Sequence, residues 1–301
     1  MRLAVLNAPR RLEVVERPVP EPATGEVLLR VAGCGVCASE LDVWAGSAEV
    51  DYPRFPGHEV SGVVERGADG FEPGDPVVAW VTERGFADYV TVRAEHCFHA
   101  GDVPLDFALA EPLACAVNAV ELAAPALAED VVIVGAGFMG NLVQKLVQLK
   151  GPREVIVADT RPEALERAAR LGATRTTRRL DGIEADVAFE VTGAQSGLVA
   201  AGEATRMGGK LVIVGFHLGA PREIPLGAWN WMALQIVNAH FRDVATIMRG
   251  MRTATRLLTS GRIALDDLVT HRFRLDDVEQ AFATAIEKPP GFVKATVTMD
   301  A

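Results

Sequence analysis

The sequence predicts an α/β protein of two domains, the first β-rich and barrel-like, the second a parallel sheet with helices on its faces. Three observations carry that prediction. Residues 1 to about 100 are rich in Val, Gly and Pro and fall into short apolar runs separated by turns. From Asp130 onward, apolar runs alternate with helix-patterned segments, as they do where helices connect the strands of a parallel sheet. A chain of 301 residues with 49% hydrophobic composition is long enough to fill about two cores.

Taken in chain order, strands are expected at Leu3–Leu6, Glu26–Ala32, Val60–Glu65, Pro76–Ala79 and Ala87–Val92. Turns such as Glu72-Pro73-Gly74-Asp75 separate them. Asp106 to Ala124, rich in Ala and Leu, reads as mostly helical. Val131–Val134 is an unbroken apolar run, as in a strand buried on both faces. A helix is expected over Asn141–Leu149, a strand over Glu154–Ala158, and a helix over Pro162–Leu171. Strands recur at Asp186–Val191 and Lys210–Gly215, and one long helix at Asp243–Ser260. His271–Phe273 and Ala295–Thr298 read as closing strands, with a helix over Leu275–Ile286 between them. These last strands are expected to rejoin the first domain.

Composition excludes several function classes. The net charge is −10 and the Lys/Arg pairs are isolated. An acidic surface repels phosphate backbones, so no nucleic-acid partner is expected. No apolar stretch reaches bilayer-spanning length, and the N-terminus reads as a strand rather than a signal peptide. No membrane partner and a cytoplasmic location are therefore expected. Four cysteines, Cys34, Cys37, Cys97 and Cys115, are too few for a disulfide framework at this length.

Gly135-Ala136-Gly137-Phe138-Met139-Gly140 directly follows the Val131–Val134 run and opens a helix. The glycines allow a tight turn, close backbone approach to a pyrophosphate and close helix packing. The helix N-terminus offers N–H groups and positive dipole to the phosphates. A bare glycine fingerprint is a weak signal, but here the next strand ends in Asp159, 19 residues after Gly140. An acid there binds ribose hydroxyls and repels a 2′-phosphate, which favours NAD over NADP. Arg161, two residues on, leaves an opening for NADP. Thr192-Gly193 and Gly215-Phe216 end later strands of the same sheet, where ligands bind, and are expected to border the nicotinamide.

Three further segments bear metal-ligand chemistry: Gly33-Cys34-Gly35-Val36-Cys37-Ala38-Ser39-Glu40, Gly57-His58-Glu59 and Glu111-Pro112-Leu113. They offer a thiolate, an imidazole and a carboxylate. Zinc accepts that S, N, O set, and a catalytic site keeps three protein ligands and one open position. His96 and His99, which flank Cys97, read as turn or surface histidines.

With these motifs, and with Gly74-Asp75, Gly85-Phe86-Ala87-Asp88-Tyr89 and Gly291-Phe292-Val293-Lys294, nearly the whole chain resembles the zinc-dependent medium-chain dehydrogenase/reductase superfamily. The Glu-Pro-Leu segment resembles its sorbitol and threonine dehydrogenase branch. The resemblance implies a GroES-like catalytic domain over 1–117, completed by 271–301, and a Rossmann NAD-binding domain over 118–270. It implies one catalytic zinc held by Cys37, His58 and Glu111, with Glu59 adjacent as a supporting or exchanging ligand. Cys37, Ser39, His58 and Glu59 are then the catalytic set, Ser39 passing the proton outward. Lys294 matches a basic residue near that glutamate and the pyrophosphate. Cofactor contacts are expected from Gly135, Gly137, Phe138, Met139, Gly140, Asp159, Arg161, Thr192, Gly215, Phe216 and Lys294.

Two departures from the family pattern matter. Val81-Thr82-Glu83-Arg84-Gly85 runs straight on to Phe86, with no four-cysteine structural zinc lobe, so one zinc is expected rather than two. Asp42 stands where relatives often carry a histidine that completes the proton relay. Trp44 and Phe55 near the metal motifs, and Trp229 in the second domain, are candidates to wall a substrate pocket. The expected reaction is NAD-linked oxidation of a secondary alcohol: a polyol, cyclitol, sugar or amino alcohol. A larger hydroxyethyl-bearing biosynthetic intermediate is the alternative substrate. A non-catalytic nucleotide-binding protein and a metal-free quinone or enone reductase are the other readings. A homodimer or homotetramer is expected.

Overall fold

The computed structural model describes residues 1–217 and 221–299. In chain order the elements are β1 (Arg2–Ala8), β2 (Arg11–Glu16), β3 (Glu26–Gly35), α1 (Ala38–Ala45), β4 (Glu59–Arg66), β5 (Pro76–Trp80), β6 (Tyr89–Arg93) and β7 (Cys97–His99). Then come α2 (Ala110–Ala123), β8 (Asp130–Val134), α3 (Phe138–Gln148), β9 (Glu154–Ala158), α4 (Pro162–Arg170), β10 (Arg175–Thr177), β11 (Ala185–Glu190) and α5 (Gln195–Glu203). The chain continues through β12 (Thr205–Ile213), α6 (Leu226–Trp231), β13 (Gln235–Asn238), α7 (Val244–Thr259), β14 (Val269–Arg274), α8 (Val278–Glu287) and β15 (Lys294–Thr298). Two compact units result: residues 1–114 with the chain from Met251 onward, and Cys115–Gly250. The chain changes unit within α2 and again within α7. No helix among the described residues is long and apolar enough to cross a membrane.

In the first unit a seven-stranded sheet runs in the order β14-β15-β3-β4-β5-β7, with β6 also paired to β3. The long strand β3 is its hub. β15 lies antiparallel to β3 with Val297 opposite Cys34, so the last strand is stitched to the segment that leads into Cys37. One core takes Val27, Leu29 and Val31 from β3, Val60 and Val64 from β4, and Leu275, Phe282 and Val297 from the returning chain. Phe282 of α8 meets Phe86 edge-on at 5.6 Å, and both rings are wholly buried. Truncating either to alanine would cost about 3–5 kcal/mol.

The second unit holds a six-stranded sheet in the order β10-β9-β8-β11-β12-β13, with every pairing parallel. β8, β9 and β11 are buried along almost their whole length, which is why they read as apolar runs rather than alternating strands. The chain builds outward from β8 to β9 and β10, then returns to place β11 on the other side of β8. That reversal makes a crevice at the carboxyl ends of β8 and β11, the usual ligand position in such sheets. α4 shows its ends in the sequence: Pro162 sits in the first turn, Glu163 beside it, and Arg167 and Arg170 in the last turn.

Some boundaries differ from the expected ones for local reasons. The helix expected over 106–124 begins at Ala110, which places Pro112 in the first turn, where its missing N–H has no intrahelical role. α3 starts at Phe138 rather than 141, because Gly137 is its N-cap.

Candidate active site

Cys37 is the N-cap residue of α1. β3 ends at Gly35, Val36 is buried, and the chain then turns into the helix. The sulfur therefore sits at the positive end of a short helix dipole. Ser39 Oγ donates to Cys37 Sγ at 3.2 Å.

His58 precedes β4. Glu40, in the first turn of α1, reaches across with one carboxylate oxygen, Oε1. That oxygen accepts from the Gly57 N–H at 2.6 Å and lies 3.2 Å from His58 Nδ1. With its proton on Nδ1, directed at Glu40, the ring would offer Nε2 as a ligand, an arrangement that orients metal-binding imidazoles. Burial would push the His58 pKa down, but the charges of Glu40 and Cys37 outweigh it and hold the pKa well above the ordinary value. Gly57 is required here twice over. Its φ is +106°, and an added Cβ would lie 2.5 Å from the Phe86 nitrogen.

Glu59 opens β4 and is 1% exposed. Its Oε1 accepts from Lys294 Nζ at 2.7 Å, and the same ammonium donates to the Val36 carbonyl at 2.8 Å. Burial alone would lower the Lys294 pKa; Glu59, then Cys37 and Glu111, raise it above its usual value. Glu59 Oε2 is buried with no hydrogen-bond partner. A buried carboxylate oxygen left unpaired is costly, and a bound cation would satisfy it. Gly35 makes the space, since a Cβ there would lie 1.9 Å from Glu59 Oε2. The ligating atoms of Cys37, His58 and Glu59 all lie within 4.8 Å of one another. The donor set is the S, N, O combination that zinc accepts, and the orphaned oxygen fits a cation, so these residues fit the metal.

Glu111 stands in the first turn of α2. It is not one of the three converging side chains, though its charge acts on Lys294. Trp44 is 3% exposed and lies in the core, against Phe282 at 6.1 Å and beneath the Arg10 guanidinium. Trp229 is 4% exposed and fills the second unit's core, its indole over Gly202. Both tryptophans thus serve packing in this structure. Phe55 lines a cavity of about 730 Å³ with Leu3, Trp80, Arg84, Tyr89 and His96; Cys37, His58 and Glu59 do not line it. Cys34 and Cys97 are buried, and burial pushes the Cys97 thiol up to about 12. His96 meets Trp80 edge-on and His99 stacks on Phe71, so neither joins a metal cluster.

In the second unit, Gly135 leaves β8 at φ +109°, and a Cβ on Gly140 would fall 1.8 Å from the Gly135 carbonyl oxygen. That contact lets α3 begin tight against the strand. A Cβ on Gly137 would meet nothing within 4 Å. Packing therefore does not require a glycine at 137, and the bare backbone there leaves room for a ligand to approach. No side chain caps α3 and no acid lies in its first turn, which suits a phosphate. Asp159 follows β9. Its Oδ2 accepts from the Ala136 N–H at 2.8 Å, and Arg161 donates to it from backbone and side chain. Glu40 and Glu190 are among the polar side chains that no sequence motif assigned a role. Position gave a signal for both: Glu40 three residues after Cys37 on a helix, and Glu190 as an acid in an apolar strand.

Known proteins resemble this chain along most of its length. The Alcohol dehydrogenase GroES-like domain family matches residues 23–102. Sorbitol dehydrogenase of Gallus gallus is 30% identical, over 91% of this chain and 90% of that protein. L-threonine 3-dehydrogenase of Pyrococcus abyssi is 28% identical, over 90% of each. A solved short chain alcohol dehydrogenase from E. coli CFT073, complexed with cofactor NADH, superposes with a TM-score of 0.87 at 23% identity, covering 99% of both chains. The chain belongs to the zinc-dependent medium-chain dehydrogenase/reductase superfamily. It is an oxidoreductase of the alcohol and polyol dehydrogenase class.

Proposed function

We propose that this protein catalyses reversible NAD-linked oxidation of a secondary hydroxyl on a small polar substrate: a polyol, cyclitol, sugar or amino alcohol. The observation that carries the reading is the convergence of Cys37, His58 and Glu59, beside a buried Glu59 oxygen that has no hydrogen-bond partner. Cys37 and His58 would hold one catalytic zinc, with Glu111 or Glu59 completing the set. Zinc bound there supplies a Lewis acid that polarises the substrate oxygen. Glu40 fixes the imidazole, and Lys294 balances the charge of Glu59. Ser39, whose hydroxyl donates to Cys37 Sγ, would carry the substrate proton outward. The turn at Gly135–Gly140 and α3 would seat the pyrophosphate, and Asp159 the adenosine ribose of NAD. Sorbitol and threonine dehydrogenases among the relatives support the polar substrate class.

We propose a cytoplasmic homodimer or homotetramer. Support for assembly comes from β13, a sheet edge among the described residues, and from Leu226 and the 82% exposed Trp231 just ahead of it. The test of function is a substrate panel of polyols, cyclitols, amino alcohols and simple secondary alcohols, followed at the nicotinamide absorbance. Turnover of polar alcohols with NAD, abolished by a chelator and restored by zinc, is expected. Chelator-insensitive turnover, or preference for simple hydrophobic alcohols, would overturn the reading.

A further inference from the structure

The second unit contains a buried polar assembly that the metal site does not use. Glu190 is the last residue of β11 and is wholly buried. Its Oε1 accepts from the Thr192 N–H at 2.7 Å, the Thr192 hydroxyl at 2.5 Å and the Gly193 N–H at 2.9 Å. Its Oε2 lies 2.7 Å from His217 Nε2. Arg222 Nε lies 3.0 Å from His217 Nδ1, and Arg222 Nη2 donates to the Gly193 carbonyl at 3.2 Å. A guanidinium only donates. His217 Nδ1 must therefore accept, and the ring proton resides on Nε2, directed at Glu190. The hydrogen bonds run one way, from Arg222 through His217 to Glu190. A second bond from Arg222 returns to the Gly193 turn and closes the ring.

This ring ties two turns together. One is Thr192-Gly193, after β11. The other is Gly215-Phe216-His217, after β12, which begins with the Val214 and Gly215 N–H groups donating to the Glu190 carbonyl, each at 2.9 Å. The turns touch backbone to backbone. A Cβ on Gly215 would lie 2.3 Å from the Gly193 nitrogen and 2.5 Å from Glu190 Oε2, and one on Gly193 would lie 2.7 Å from the Phe216 carbonyl oxygen. Little freedom remains in either turn while the ring is closed.

Strand order says which part of a dinucleotide they would face. Along the carboxyl edge of the sheet the sequence is β9, β8, β11, β12. Asp159 follows β9 and would mark the adenosine ribose. The glycine turn follows β8 and would mark the pyrophosphate. The turns after β11 and β12 lie on the far side of β8 from β9, about one and two strand spacings of roughly 4.8 Å away. They are on the nicotinamide side.

We propose that Glu190, His217 and Arg222 are positioning residues for the nicotinamide half of the cofactor: a clasp that holds the Thr192-Gly193 and Gly215-Phe216 turns in binding geometry. This rests on the reading of the second unit as an NAD site. The clasp does no chemistry and touches no reacting atom; it acts through the two turns.

The test compares binding of NADH with binding of ADP-ribose, which lacks the nicotinamide, in the parent protein, His217→Ala and Arg222→Met. Thermal melts run alongside. Arg222→Met leaves the His217–Glu190 contact in place, and it carries the test if His217→Ala does not fold. The expected result is NADH affinity weakened about tenfold, the scale of losing one hydrogen bond to a charged group, with ADP-ribose affinity unchanged within about twofold. NADH and ADP-ribose affinities that fall together would reduce the cluster to a structural role and overturn the clasp alone. Unchanged NADH affinity would do the same. A parent protein that binds neither NADH nor NADPH nor ADP-ribose would overturn the cofactor reading, and the clasp with it.

Discussion

The candidate metal cluster of the first unit and the glycine turn of the second are made in opposite ways. The first is a set of half-buried and buried side chains that compensate one another: Glu40 for His58, Lys294 for Glu59. The second is defined by atoms that are missing, at Gly135, Gly137 and Gly140. A site of compensating charges fails when a side chain is removed, because its partner is left charged in a poorly solvated place. A site of bare backbone fails when a side chain is added. The contrast predicts different injuries from different substitutions.

The largest effect is expected at Lys294. Lys294→Met leaves Glu59 buried without its counter-charge, and removal of one partner of a buried pair costs about 3–5 kcal/mol. Urea denaturation without metal should show that loss, and adding Glu59→Gln to the variant should recover much of it, because the neutral amide needs no counter-charge. Equal denaturation midpoints for Lys294→Met and the parent would mean that the pair does not stabilise the fold.

A smaller and more selective effect is expected from two alanines in one turn. Gly140→Ala drives a Cβ into the Gly135 carbonyl, and overpacking of this kind costs about 1–3 kcal/mol. Gly137→Ala meets open space, so its cost should be the smaller one, no more than about 1 kcal/mol for alanine at an N-cap. Its NADH affinity should nonetheless fall by about tenfold or more, since the methyl group occupies the place of backbone approach. Melting curves and NADH titrations of both variants check the pair. A Gly137→Ala protein that binds NADH as tightly as the parent would show that the turn does not hold the pyrophosphate.

Much of this was legible in the sequence, for reasons that differ by residue. The strands β8, β9 and β11 showed themselves as apolar runs because both faces are covered. β7, β10 and β13 have three or four residues, too few for any period to register. Cys37 and His58 stood out because their motifs are local. Trp44 stood two residues beyond Asp42 in the same segment, but where an indole points is settled by tertiary packing, and it went to the core against Phe282. Glu190 carried a visible signal as an acid in an apolar strand. Its partners His217 and Arg222 did not, because no periodicity links side chains across 27 or more positions.

The smallest effect is electrostatic and separates the two regions by pH. Burial pushes the Asp159 carboxyl up, but hydrogen bonds from the Arg161 side chain and backbone and from the Ala136 N–H outweigh it and hold the pKa below the usual carboxylate value. A group whose pKa is lower folded than unfolded stabilises the fold above its unfolded pKa, and that contribution disappears as pH falls through the folded one. Asp159 should therefore stabilise the cofactor-free protein at neutral pH and cease to do so in acid. Asp159→Asn keeps an oxygen acceptor and removes the titration. Other carboxylates titrate in both proteins, so the difference in Tm between parent and variant isolates this one group. That difference should favour the parent at neutral pH and shrink on acidification below the ordinary aspartate range. A difference that stays constant across the range would mean that the carboxylate is not held in charged form by Arg161 and the Ala136 amide. The glycine turn would then be anchored to β9 by shape alone.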